Sequence, residues 1–459
     1  MINSHHGRLA FVVQRNGKTL KKQLPEPNIL GLAGSKVESN GVGVAESNSS
    51  ESCGMHSFIH LRDRRVFPGT HNGDRLCAGL VRVLLMLAML STLSFADEPQ
   101  KPDRTVMLTI NSETHPITIT GRTLVEAQDG GVLMEERNGR LRLLTTAMIV
   151  SRSESVSPFA PFSADEMATD LLAQVSTGFE VLQTEHYVIC SNSSEEYAEF
   201  VGKLLEKVFD EYFKFMNQQE ISVHQPAAKL PIIILQSQAD LEEFASRQHP
   251  ETTFEDTPGY YSIRENQTLL LDLTRDRSVR TASIIRKRLA EQPLQVATMV
   301  HEAVHQLAFN TGLQVRMADN PVWFSEGLSL YFEPIVPRAS SLWTRPGLVN
   351  GRHHPEFVRR TENGRPEIPF ADLLKSDNAF LEANTVAVAY AESWGLTMYL
   401  FRQQKDGLKT FLANLSQRMP LQRVSPETRI QEFEAAFGKS PDEMERDVVS
   451  FVRRLRVSK

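Results

Sequence analysis

His301-Glu302-Ala303-Val304-His305 is the segment whose residue types and spacing carry chemistry. On a helix, positions four apart differ by about 40° of rotation and about 6 Å of rise, so both imidazoles reach one ion from the same face. Glu302 stands a quarter turn away, too far round to join them as a ligand but placed to take a proton from a metal-bound water. Downstream, Glu326 precedes Gly327 in Asn-Pro-Val-Trp-Phe-Ser-Glu-Gly-Leu-Ser-Leu-Tyr-Phe-Glu, and its carboxylate completes a set of two His and one Glu. Catalytic zinc is held by three protein ligands of this kind, with a fourth position left for water. The competing reading is a core helix with two capping histidines and Glu302 facing solvent.

The element that must position these groups is legible around them. Leu294, Val296, Ala297, Met299 and Val300 before the motif, and Val304, Leu307 and Ala308 within and after it, predict an apolar helix of roughly four turns, buried enough to shield a site. Asn310-Thr311-Gly312 is its stop signal.

The His-Glu-x-x-His pair, followed after twenty residues by Glu-Gly inside Trp-Phe-Ser-Glu-Gly-Leu-Ser-Leu-Tyr-Phe-Glu, resembles the gluzincins, the thermolysin-like and aminopeptidase-N-like metallopeptidases. More closely it resembles a family of secreted bacterial proteins of unknown function grouped with them. The likeness runs from about Phe179 to the C-terminus and includes Thr184-Glu185-His186-Tyr187-Val188-Ile189 and Tyr390-Ala391-Glu392-Ser393-Trp394-Gly395-Leu396. It implies His301, His305 and Glu326 as zinc ligands, Glu302 as catalytic base, and a cleft between two subdomains. One departure matters. Thermolysin-like enzymes carry an Asp four residues after the ligand Glu to orient a histidine, and this chain has Leu330 there. Since ligand histidines need a partner for the other ring nitrogen, the surroundings of this site must be built differently.

With 459 residues and 41% apolar content the chain has material for two or three domains and no pattern of repeated membrane spans. A net charge of -6 with scattered Lys and Arg gives no support for nucleic-acid binding, and the basic end at Arg453, Arg454, Arg456 and Lys459 reads as a solvated helix terminus. Cys53, Cys77 and Cys190 cannot form a disulfide framework. Cys190 closes an apolar run and reads as a buried structural thiol rather than a nucleophile.

Arg82, the apolar run Val83 to Leu90, and Ser91 to Ala96 before Asp97-Glu98-Pro99 have the three regions of a secretory signal. The run is short for a permanent anchor, so no membrane span is expected in a mature protein beginning at Asp97. Residues 1–80 read as a disordered or mis-assigned leader, with translation from Val81 as the alternative start. An internal apolar helix within a disordered leader is the competing reading.

Residues 97–153 alternate apolar and polar side chains in short runs, with turn signals at Asp129-Gly130-Gly131 and Asn138-Gly139, and predict a small β module without chemistry of its own. Residues 154–178 read as a linker, 179–281 as an α/β subdomain and 282–459 as a mostly helical subdomain holding the zinc site. The fold class expected is therefore α+β. A sheet edge able to pair with an extended peptide is expected at Tyr260 to Asn266 or at Gln267 to Leu273.

Pro334 to Pro369 reads as a long polar loop in which His353-His354 is a solvated pair. Tyr390, on a helical stretch from Ala387 to Arg402, reads either as a core aromatic or as a phenol that stabilises a developing oxyanion, with His353 or His354 as the rival for that role. Taken together, the residues point to an exported, zinc-dependent peptidase acting on a peptide or protein substrate. The alternative is a non-catalytic, metal-stabilised binding module of the cell envelope.

Overall fold

The computed structural model describes residues 104–456, apart from 113–114, 251–253 and 255–256, together with two paired two-residue strands, β1 (Gln14–Arg15) and β2 (Lys18–Thr19). The expected export signal at 81–96, the rest of the leader, and Cys53 and Cys77 lie outside the described residues. The chain is α+β, and it divides into two compact units.

One sheet is antiparallel, of β3 (Arg104–Ile110), β4 (Ile117–Glu126), β5 (Val132–Glu136), β6 (Leu141–Leu144) and β7 (Ile149–Pro158), in the order β6-β5-β4-β3-β7. Alternation on β3 turns Val106, Leu108 and Ile110 to one face, where they pack with Ile119, Val132, Met134 and Leu144. Gly130 and Gly139 sit in the turns at positive φ (85° each), a conformation that costs glycine nothing.

The second unit opens with α1 (Ala164–Gln174). Its N-cap Ser163 accepts a hydrogen bond from the Glu166 backbone, while the Glu166 carboxylate accepts from the Ser163 N–H. Residues 154–178, expected as a linker, thus contain the end of β7 and a capped helix. The prolines 158 and 161 mark only the short join between them, because Met167 and Leu171 give the following segment an apolar face to bury.

A second sheet follows, built from β8 (Glu180–Gln183), β9 (Tyr187–Ser191), β10 (Leu230–Leu235), β11 (Gly259–Ser262) and β12 (Gln267–Leu271) in the order β11-β12-β10-β9-β8. The three central strands run parallel and are buried throughout, which is why they read as continuous apolar runs rather than alternations. Two crossover helices connect them: α2 (Glu195–Gln218), capped by Ser194, joins β9 to β10, and α3 (Gln238–Gln248) leads on from β10. Cys190 is fully buried in β9, and burial pushes its thiol up to about 12, as befits an inert structural residue. Of the two segments expected to offer a sheet edge, the first does so: β11 is the edge strand and β12 is interior.

Nine helices complete the described part of the unit: α4 (Ala282–Ala290), α5 (Pro293–Asn310), α6 (Val322–Phe332), α7 (His353–Arg360), α8 (Phe370–Lys375), α9 (Val386–Gln403), α10 (Lys405–Ser416), α11 (Pro426–Phe437) and α12 (Pro441–Val452). Pro293 sits at the first turn of α5, where its missing N–H has no intrahelical role, and the chain leaves α5 through Thr311 and Gly312 at φ 78°. α6 packs closely on α9 at Gly327, where an added Cβ would lie 2.8 Å from the Ser393 carbonyl oxygen and against the Thr397 hydroxyl. One apolar core runs from Met167 to Val452. The boundary expected between 281 and 282 is therefore not a break between cores, since α5 packs on α2 and on the strands β11 and β12. Residues 334–369 also depart from the expected loop: α7 begins at His353 and buries His353 and Phe357. No helix among the described residues is long and apolar enough to cross a membrane.

Candidate metal centre

α5 and α6 are buried along nearly their whole length, so the polar groups they carry inward are shielded from bulk solvent. His301, His305 and Glu326 bring one ligand atom each to within 4.8 Å of one another. The two Nε2 atoms face each other at 3.0 Å, and Glu326 approaches them at 3.2 Å from His301 and 3.9 Å from His305. None of the three residues is more than 1% exposed. Neither carboxylate oxygen of Glu326 has a partner with hydrogen-bond geometry among the described residues. A buried carboxylate left in that condition is costly unless a cation shares the space. Two imidazole nitrogens and one carboxylate oxygen form a donor set suited to a metal of zinc type, so the residues present fit such an ion.

The outward ring nitrogens are also held. His305 Nδ1 lies 3.1 Å from Ser329 Oγ, and His301 Nδ1 lies 3.3 Å from Glu333 Oε2. Both partners come from α6 or its C-cap, three and seven positions beyond Glu326, which puts all three on one helix face. Leu330 is fully buried in the apolar core, and the carboxylate beside His301 Nδ1 comes from Glu333, three residues further on.

The carboxylates call for positive charge. Burial works against a proton on His301, yet the adjacent Glu326 and Glu333 outweigh it and push His301 up to about 10. Burial would raise Glu333, but His301, His353 and the Asn350 amide hold it below the ordinary carboxylate range. His353 goes the other way: burial pulls it down to about 4, so it is a neutral imidazole at neutral pH.

Glu302 is fully buried, and its Oε2 accepts a hydrogen bond from the backbone N–H of Tyr261 at 2.8 Å. That N–H therefore points away from the β12 ladder, and the edge strand touches the residue expected to act as base. Tyr390, on α9, is 9% exposed. Burial, followed by the charge of Glu326 beside its hydroxyl, holds its phenol well above the ordinary range, so it keeps its proton and has an O–H to donate.

The two rivals for the oxyanion role prove to be neighbours, since the His353 ring stacks 6.4 Å from Tyr390 at 27°. His353 is not the solvated loop residue expected; its Nε2 lies 3.7 Å from Glu333 rather than beside a ligand. His354 is only half-buried and turns toward the Val452 carbonyl at 3.3 Å and the Trp394 ring.

Sequence reasoning missed Ser329, Glu333, Asn350 and the Tyr261 amide. The first two were findable, since residues three and seven beyond a ligand on one helix share its face. Asn350 and Tyr261 carry no local signal, because both reach the site through tertiary packing.

A family model described as "Protein of unknown function (DUF1570)" matches residues 295–422, a span that includes His301, Glu302, His305, Glu326, Glu333, His353 and Tyr390. A search of curated proteins finds no match.

Proposed function

We propose that the chain is an exported, zinc-dependent peptidase of gluzincin type, with His301, His305 and Glu326 holding the metal and Glu302 as general base. The observation that carries this reading is the buried convergence of three ligand atoms, two from α5 and one from α6, with the acidic Glu302 on the helix that carries both histidines. Zinc bound there supplies Lewis acidity, polarising a scissile carbonyl and bringing the pKa of its water toward neutrality.

The rest falls to the chain's own groups. The Glu302 carboxylate takes the proton that the attacking water releases and hands it to the nitrogen of the leaving amine. The Tyr261 N–H donates to Glu302 Oε2 and fixes the orientation of the carboxylate. The Tyr390 phenol, still protonated, donates to the oxygen that gains negative charge. Burial of all these groups keeps bulk water from screening them. The rival, a metal-stabilised binding module, has no use for a buried carboxylate beside the ligands, and Glu302 argues against it.

Elemental analysis after zinc supplementation tests the metal. One zinc per chain is expected, with loss on single Ala changes at His301, His305 or Glu326, and less than about 0.2 zinc in the unaltered protein contradicts the proposal.

A further inference from the structure

At the end of α6 a single carboxylate joins three helices. Glu333 Oε2 meets His301 Nδ1 on α5 at 3.3 Å. Glu333 Oε1 accepts from Asn350 Nδ2 at 2.7 Å and lies 3.7 Å from His353 Nε2. Asn350 Oδ1 in turn accepts from the backbone N–H groups of Arg352 and His353 at 3.0 and 3.2 Å, where α7 begins. Glu333, Asn350 and His353 are 3%, 4% and 5% exposed. His353 Nε2 has no hydrogen-bond partner among the described residues, so the neighbour it can serve is Glu333.

Glu333 is the C-cap residue of α6, with three side-chain torsions to fix and no following helical turn to fix them. What fixes them is α7. A carboxylate so far removed from water persists only where hydrogen-bond donors surround it, and here these are His301 on one side and Asn350 and His353 on the other.

We infer that Glu333 is the positioning residue for His301, and that α7, acting through Asn350 and His353, holds Glu333 in place. The inference rests on the metal-centre reading above. A carboxylate on Nδ1 fixes the tautomer and rotation of a ligand imidazole so that Nε2 presents its lone pair, and loss of such a partner weakens metal binding by about 10- to 100-fold. His353 acts only through Glu333, so its effect vanishes once Glu333 has been changed.

The test measures zinc affinity of the full chain by competition with a chromogenic chelator, together with the visible absorption of the cobalt(II)-substituted protein. Melting temperature of the metal-free protein reports the fold separately. Glu333→Gln should weaken zinc about 10- to 100-fold and shift the cobalt bands. His353→Gln should give a smaller loss with the metal-free fold retained, and the double variant should match Glu333→Gln alone. If Glu333→Gln fails to fold, His353→Gln decides, through weaker zinc and an altered cobalt spectrum. Wild-type affinity and spectrum in the folded variants overturn the inference while leaving the metal centre standing. Additive losses overturn the claim that His353 works through Glu333. A wild-type protein that binds neither metal overturns both readings together.

Discussion

Glu392→Gln should stabilise the protein progressively as pH rises. Glu392 is fully buried on α9; its Oε1 accepts from the backbone N–H groups of Glu367 and Ile368 at 2.8 and 3.1 Å, and its Oε2 has no partner among the described residues. Burial, aided by the charges of Glu367 and Glu445 and opposed by the two N–H bonds, pushes its carboxyl up from 4.5 to about 8. Below pH 4.5 both folded and unfolded chains hold the proton and no stability is lost. Between 4.5 and 8 the unfolded chain releases the proton while the folded chain keeps it, so stability falls with pH, and the loss is complete above about 8. The difference of 8 − 4.5, about 3.5 units, corresponds to about 5 kcal/mol at full effect and about 3 kcal/mol at pH 7. Gln keeps an oxygen for both N–H groups and does not titrate. Its amide introduces a donor of its own, but that cost does not vary with pH, so the slope is the quantity to read. Urea unfolding of both proteins from pH 5.5 to 8 should show the variant gaining about 3 kcal/mol on the wild type across the range. A difference that stays flat within about 0.5 kcal/mol would refute the argument that a buried, half-partnered carboxyl titrates there.

Tyr390→Phe removes only a hydroxyl, so zinc content and melting temperature should stay near wild type while kcat falls by about ten- to a thousandfold; a normal kcat would return Tyr390 to the role of a core aromatic. Gly327→Ala should destabilise the chain by about 1–3 kcal/mol or prevent folding, because α6 and α9 touch where the new methyl must go, and an unchanged melting temperature would show that the contact yields.

The site was legible where local chemistry sufficed. His301, Glu302 and His305 declare themselves by spacing on an apolar helix, and that helix runs from Pro293 to Asn310 with the stop signal in place. Glu326 followed from the ligand count. The environment of Leu330 was legible only as an absence, and its resolution, Glu333, needed α6 to continue far enough to bring position seven back to the ligand face. His353 was misread because polar, Pro- and Gly-rich residues around it hide a short helix whose burial comes from α9 and from Glu333 rather than from its own apolar pattern. The join before α1 is obscured for a related reason: Pro158 and Pro161 signal a break, while the Ser163–Glu166 capping pair that follows them starts a helix. Sheet order is a tertiary property, and the choice of β11 over β12 as the edge had no signal in either strand's residues.

The central claim is that Glu302 beside a bound metal hydrolyses peptide bonds. Its most direct test is the mass-spectrometric cleavage record of a mixed peptide library incubated with zinc-loaded wild type and with zinc-loaded Glu302→Gln at matched metal content. The account predicts new peptide termini from the wild type and at least about a hundredfold fewer from the variant, the usual scale for losing a general base. No cleavage by a wild-type protein that carries its zinc, or equal cleavage by both proteins, would contradict it.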